Sequence, residues 1–275
     1  MKPIKAAIQL TQVWRIICPD GKPYPVNCRA LAEALNIKVH GEPINDNFEA
    51  QLRIRGKRRA IIYNDNIREE GRKNFCISHE IGHHSCHSDQ KEFFCSSKDL
   101  NDMAPHPQNI EQEANLFAAT LLMPADDFRE QISGKKPTLS LLSNLADFRY
   151  ETSLTATCMR LLDLSPQNPL GMAIIRNGKI VRWARTEEMR WTGFGFQKNH
   201  KVPSEASFAD KKGQPVDSRL WLNANNANRW DLFQSSVFMP YYDQTLVLIQ
   251  AERKEASGDD WDVPDTTPSS LPNFK

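Results

Sequence analysis

The chain has 275 residues, 40% of them hydrophobic and 25% charged, with a formal net charge of +1. Such a balance is that of an ordinary soluble globular protein with room for two modest domains. It gives no ground for a fibrous, repeat or membrane class, and it excludes a global charge excess that would recruit nucleic acid or anionic lipid.

The opening residues, MKPIKAAIQLTQVWRIICPDGKP, carry apolar side chains at helical spacing from Ile4 to Ile17 and stop at Pro19-Asp20-Gly21, which predicts a helix. They lack the uninterrupted apolar core and small-residue cleavage site of a secretory signal, and no later run is apolar for long enough to cross a bilayer. With six cysteines at irregular spacing, the chain is expected in reducing cytosol with free thiols. Asn27 is placed to cap a second short helix through Leu31 and Leu35. From Phe48 to Arg55 and from Arg59 to Tyr63, apolar and polar residues alternate around Gly56-Lys57, which predicts a β-hairpin or two adjacent strands.

A helix carrying NFCISHEIGHHSCH, Asn74 to His87, comes next, followed by a polar connection, NDMAPHPQN, from Asn101 to Asn109. The run Ile110 to Met123, IEQEANLFAATLLM, is rich in Ala, Leu and Glu and ends at Pro124, so it predicts a helix. Residues Leu139 to Leu164 break into two or three short helical patterns before SPQNP, Ser165 to Pro169, punctuates the chain. Beyond it the texture is β: two apolar runs flank Asn177-Gly178, a strong hairpin signal, and TLVLIQAE, Thr245 to Glu252, reads as a buried final strand. The predicted fold class is α+β, divided into 1–130 with the histidine-rich helix, a helical segment 131–168, a β-rich domain 169–255 and a disordered tail 256–275.

His79-Glu80-Ile81-Gly82-His83 fits the H-E-x-x-H pattern. Residues at i and i+4 project from one helix face, so two imidazoles can reach one Zn²⁺ at about 2.0–2.1 Å. Glu80 lies one position round the helix, where its carboxylate can touch a water at the metal without being a ligand, as a general base must. The bare pattern arises by chance in roughly one chain in a hundred of this length, so its surroundings carry weight. Phe75, Gly82 and Cys86 lie near the His79/His83 face, which predicts burial there. Gly82 costs about 1 kcal/mol relative to Ala in a solvated helix unless something approaches it closely.

A third ligand is needed. Gly at 86 and His at 89 would extend the motif to the metzincin type, but Cys86 and Asp89 occupy those positions. The other common solution is a glutamate from a second helix, and Ile110 to Met123 offers Glu111 and Glu113. They point about 200° apart, so only one faces the metal. Glu111 is preferred, with Asn115 one turn on as a hydrogen-bonding group and small Ala118 and Ala119 beyond to allow close packing; Glu113 is the alternative.

RKNFCISHEIGHHSCH followed by IEQEANLFAATLLMP resembles the ImmA/IrrE family of bacterial metallopeptidases, strongly over Ile61 to Pro124. The resemblance implies a zincin-like fold with Zn²⁺ held by His79, His83 and Glu111, and Glu80 as the catalytic base. It further implies that the substrate is a protein, a helix-turn-helix repressor, cleaved to relieve repression during stress. Residues Leu145 to Leu164 are similar to a helix-turn-helix-like region that follows the peptidase domain in the family, and the β-rich part to the GAF-like domain of some members. A cytoplasmic, monomeric zinc endopeptidase is therefore expected. The rival is a regulatory DNA-binding, sensor or toxin-antitoxin-type partner protein that uses the peptidase fold as a scaffold.

The remaining candidates weigh toward structure. His87 sits about 12 Å along the helix from His79, too far to share one ion, and reads as a group behind a ligand or at the surface, while His84 should point away from the metal face. Cys76, Cys86 and Cys95 form no C-x-x-C pair and read as buried thiols. Arg53, Arg55, Lys57, Arg58 and Arg59 read as the solvated face of a hairpin. The candidate recognition helix carries Arg160 and almost no other base, so DNA binding is not expected. Tyr63 is weighed as an oxyanion stabiliser, with a packed or surface tyrosine favoured.

Overall fold

The computed structural model describes residues 2–44, 48–87, 92–96, 110–197 and 199–254. The connection Asn101 to Asn109, the thiol of Cys95 and the tail from Ala256 lie outside the described residues. The fold is α+β, as its alternating helical and strand patterns predict.

Pro3 opens α1 (Pro3–Ile17) at a position whose N–H would be unpaired in any case, and Ala6, Ala7, Thr11 and Trp14 form its buried stripe. The Asn27 side chain caps α2 (Cys28–Ala34) by accepting from the Ala30 amide at 3.0 Å. Strands β1 (Ile37–Glu42), β2 (Phe48–Arg55), β3 (Arg58–Asn64) and β4 (Glu92–Ser96) form one sheet in the order β1-β3-β2-β4. β2 and β3 pair antiparallel across Gly56-Lys57, with Arg55 opposite Arg58, while β1 runs parallel to β3. The arginines at 53, 55 and 58 and Lys57 are exposed, so the basic hairpin is a solvated face.

Between β3 and β4 runs α3 (Glu70–Cys86), packed on β2 and β3 and flanked by α1, α2 and α4 (Ile110–Leu122). Every residue from Cys76 to His83 is buried, which is unusual for a segment containing Ser, Glu and two His. Met123-Pro124 ends α4; α5 (Ala125–Ile132) and α6 (Leu139–Asn144) follow, and a π-type turn, Leu145–Tyr150, leads to α7 (Leu154–Leu164).

The C-terminal sheet is antiparallel, ordered β6-β5-β9-β8-β7: β5 (Leu170–Arg176), β6 (Lys179–Arg185), β7 (Asp210–Val216), β8 (Trp230–Met239) and β9 (Gln244–Arg253). Asn177 and Gly178 both take positive φ, 51° and 67°, as a two-residue hairpin turn with the twist of its strands requires. A single four-residue helix, α8 (Ala224–Ala227), precedes β8.

The central strands β5 and β9 are buried on both faces. Leu170, Met172, Ile174, Leu246 and Leu248 join the core that also holds Ile77, Phe117, Leu142 and Leu161. Ala173, Ile175, Val247 and Ile249 face a second core under Met189, Phe194 and Trp221. The first core thus runs without a break past positions 130 and 168. Among the described residues no helix is long and apolar enough to cross a membrane.

Candidate metal centre

Helices α3 and α4 meet at Gly82 of α3. A Cβ on Gly82 would lie 2.9 Å from Cδ1 of Phe117, so the bare backbone lets α4 come close. The side chain seated against Gly82 is Phe117. At the contact, Nε2 of His79 and Nε2 of His83 lie 3.0 Å apart, and Oε2 of Glu111 is 3.1 Å from the first and 3.4 Å from the second. Both imidazoles are fully buried. These three form the one group of potential metal ligands found among the described residues.

Glu113, the alternative third ligand, faces elsewhere: its Oε2 is 2.9 Å from Nε2 of His87. The 200° separation on the helix accounts for the split. Asn115 places Oδ1 2.9 Å from Nδ1 of His79. His87, set aside on axial distance, nevertheless brings its Nδ1 to 3.2 Å from Nδ1 of His83. Its signal in the sequence was the four-residue spacing from His83, which places the two rings on one face.

The three donor separations match a metal-binding triangle. Bonds of 2.0–2.1 Å in a tetrahedral site set ligand atoms about 3.3 Å apart. The donor chemistry agrees. A neutral imidazole has a single N–H, and when His79 donates it to Asn115, Nε2 is left as a lone pair facing a carboxylate and a second imidazole. Positive charge between them, a proton or a metal ion, is what such an arrangement needs. Burial lowers the pKa of His83 against the opposing pull of Glu111, favouring a neutral ring with a lone pair to give. Burial alone would raise Glu111, but hydrogen bonds with His79 and His83 outweigh it and hold the carboxyl at about 2.

Glu80 is fully buried, and neither carboxylate oxygen has a hydrogen-bond partner. Burial first, and the charge of Glu111 second, push its carboxyl well above the usual carboxylate range; the Leu52 backbone on β2 draws it down only slightly, without a hydrogen bond of good geometry. His84 is half-buried, its basicity lowered first by burial and second by the charge of Arg59. Tyr63 is a packed tyrosine: its hydroxyl accepts from Nη2 of Arg29 at 3.2 Å. Cys28, Cys76 and Cys158 are buried free thiols raised by burial, Cys28 to about 11, and none has the character of a nucleophile.

A cleft of about 1550 Å³ reaches Asn115, the partner of His79, while His79, Glu80, His83 and Glu111 themselves do not line it. Phe75 of α3 with Gln112, Asn115 and Leu116 of α4 form one wall, Asp147 to Asp163 another, and Arg176, Arg182, Tyr241 and Tyr242 of the C-terminal sheet the third. The Tyr242 hydroxyl donates to Oε1 of Glu69, a further residue of the lining, at 3.1 Å.

Among solved structures the chain is similar to a Mycobacterium tuberculosis transcriptional regulator, with 13% identity, a TM-score of 0.52, and coverage of 89% of this chain and 75% of that one. At that identity the likeness is one of fold. No curated protein sequence matches the chain. Residues 32–162 match a peptidase family model described as the IrrE N-terminal-like domain. That segment spans β1 to α7, contains the whole histidine–glutamate cluster, and is the part of the chain that belongs to the ImmA/IrrE family.

Proposed function

We propose that the protein is a zinc-dependent endopeptidase with a zincin-like active site, which cuts a regulatory protein of the helix-turn-helix repressor class. The observation that carries the chemistry is the convergence of His79, His83 and Glu111 beside a buried, unpaired Glu80. His79 and His83 would hold Zn²⁺ through Nε2 and Glu111 through Oε2. Zinc in that position supplies Lewis acidity toward a peptide carbonyl and the water that attacks it.

Glu80 does the proton transfer. Burial holds its carboxyl above the usual carboxylate range, which favours its keeping the proton between the two transfers. As the water oxygen bonds to the carbonyl carbon, Glu80 accepts one of its protons. As the C–N bond breaks, Glu80 delivers that proton to the amide nitrogen, leaving one new carboxyl and one new amine terminus. Asn115 and the buried helix interface keep His79 in place while this happens.

A polypeptide substrate is supported by the adjoining cleft, which exceeds the roughly 300–1,000 Å³ of a drug-sized pocket. A role in regulation is supported by the fold likeness to a transcriptional regulator. Direct DNA reading is not: Arg160, the principal base of α7, is 5% exposed and donates from Nε to the Met123 carbonyl at 2.9 Å. In this reading the C-terminal sheet acts as a GAF-like sensor or holds the substrate, and the protein works as a cytoplasmic monomer. The test is incubation with the helix-turn-helix protein encoded beside its gene, with and without chelator. Cleavage that chelator and Glu80→Gln both abolish is the expected result; binding of zinc with no chelator-sensitive cut sinks the peptidase assignment.

A further inference from the structure

We infer that His87 and Glu113 are positioning residues that fix the tautomer of His83, so that α4 controls both histidines of the metal centre. The inference rests on the metallopeptidase reading above. A histidine nitrogen that binds metal must present a lone pair. For His83 that nitrogen is Nε2, which faces His79 and Glu111. The proton of the neutral ring therefore sits on Nδ1.

Nδ1 of His83 lies 3.2 Å from Nδ1 of His87. Two ring nitrogens at that distance bond only when one carries a proton and the other a lone pair. His83 donates, so His87 Nδ1 accepts and the His87 proton is on Nε2. That nitrogen is 2.9 Å from Oε2 of Glu113, an acceptor. Three side chains thus leave one arrangement of protons, in which each N–H points away from the metal: His83 donates to His87, and His87 to Glu113. Asn115 does the same for His79 in one step.

The geometry also explains why both glutamates near the start of α4 have a use. Glu111 reaches Nε2 of His79 and His83, while Glu113, on another side of α4, reaches the histidine that follows His83 by one turn of α3. His87 closes the gap because His87 and His83 sit at i and i+4, and the His87 side chain is only 9% exposed. Partners of this kind orient a ligand ring and raise its basicity, and losing one typically weakens metal binding 10–100-fold.

The test measures Zn²⁺ affinity of the full chain by competition with a chromophoric chelator, together with the visible absorption of the Co²⁺-substituted protein. His87→Phe is expected to weaken Zn²⁺ binding about 10–100-fold and to alter the Co²⁺ bands. Glu113→Leu should weaken it in the same direction, and Glu113→Gln, whose amide oxygen still accepts, should restore it. Because the contacts lie in series, the double variant His87→Phe/Glu113→Leu should be no weaker than His87→Phe alone. Circular dichroism identifies any variant that has not folded; His87→Ala then replaces His87→Phe with the same expected loss, and His87→Asn, which still offers an acceptor, should retain affinity. Native chain that binds Zn²⁺ tightly while His87→Phe binds it equally well overturns the relay alone. Native chain that binds neither metal overturns the metallopeptidase reading, and the relay with it.

Discussion

Helix α3 and strand β9 are both buried in the middle of the molecule, but with opposite materials. β9 presents Leu246, Val247, Leu248 and Ile249, apolar on both faces, each satisfied by packing alone. α3 presents His79, Glu80 and His83 among Ile77 and Ile81, and its polar groups are buried at a cost that packing does not offset. The strand shows what a segment looks like when burial serves stability. The helix shows burial shifting acid–base character: a water-poor setting raises the Glu80 carboxyl and lowers the basicity of His83.

The largest way to break this contrast is Glu80→Gln. Loss of at least about 10³-fold in peptide hydrolysis is expected with zinc still bound. The same change should stabilise the metal-free protein at pH 7 by about 1–3 kcal/mol, since it removes an acid that is buried without a partner. Thermal unfolding of both forms, beside single-turnover cleavage, reads the two effects; an amide that also destabilises would show that Glu80 serves the fold.

In β9 the expectation is reversed. Leu248→Ala should cost about 2–5 kcal/mol in urea unfolding while the folded fraction cuts substrate at the native rate. A proportional fall in turnover would mean that the two regions do not divide the labour as described. Gly82→Ala lies between, because its Cβ would press on Cδ1, Cγ and Cβ of Phe117, near the base of that side chain. A loss of about 1–3 kcal/mol is expected, with partial recovery on adding Phe117→Leu. Equal stability of Gly82→Ala and native chain would remove close approach as the reason for the glycine.

The smallest effect is in pH. The Glu111 carboxyl is held at about 2 when folded, below its ordinary value of 4.5. Its contribution is therefore fully present above about pH 4.5 and fades as pH falls toward 2. In metal-free protein the stability difference between native chain and Glu111→Gln should shrink across that window, which urea midpoints at pH 5, 4 and 3 would follow. A difference that stays constant would mean that the imidazoles do not hold the carboxylate.

Much of this was legible in the amino-acid order. Asn177-Gly178 marks its hairpin because few residue pairs take positive φ twice, and the H-E-x-x-H spacing marks the two imidazoles because helix geometry makes i and i+4 neighbours. β8 was not legible: Gln234, Ser235 and Ser236 read as polar, yet all three are buried. Gln234 bonds to Trp221 and the Ala206 carbonyl, and Ser235 accepts from the Leu139 amide at 3.0 Å. Such partners come from elsewhere in the chain, and no local pattern announces them. The link between His87 and Glu113 is hidden for the same reason: each residue has ordinary neighbours in sequence and finds the other only when α3 and α4 dock.

The unbroken first core bears on how such a protein can be taken apart. Leu142 and Leu161 of the helical segment share one apolar interior with Met172 and Leu248 of the C-terminal sheet. A chain cut off after Leu164 would bring that interior to its surface, where a greasy patch invites chaperones and self-association. The sheet is thus less a detachable accessory than a lid of the core itself, and any exchange of it for another module must preserve its inward face.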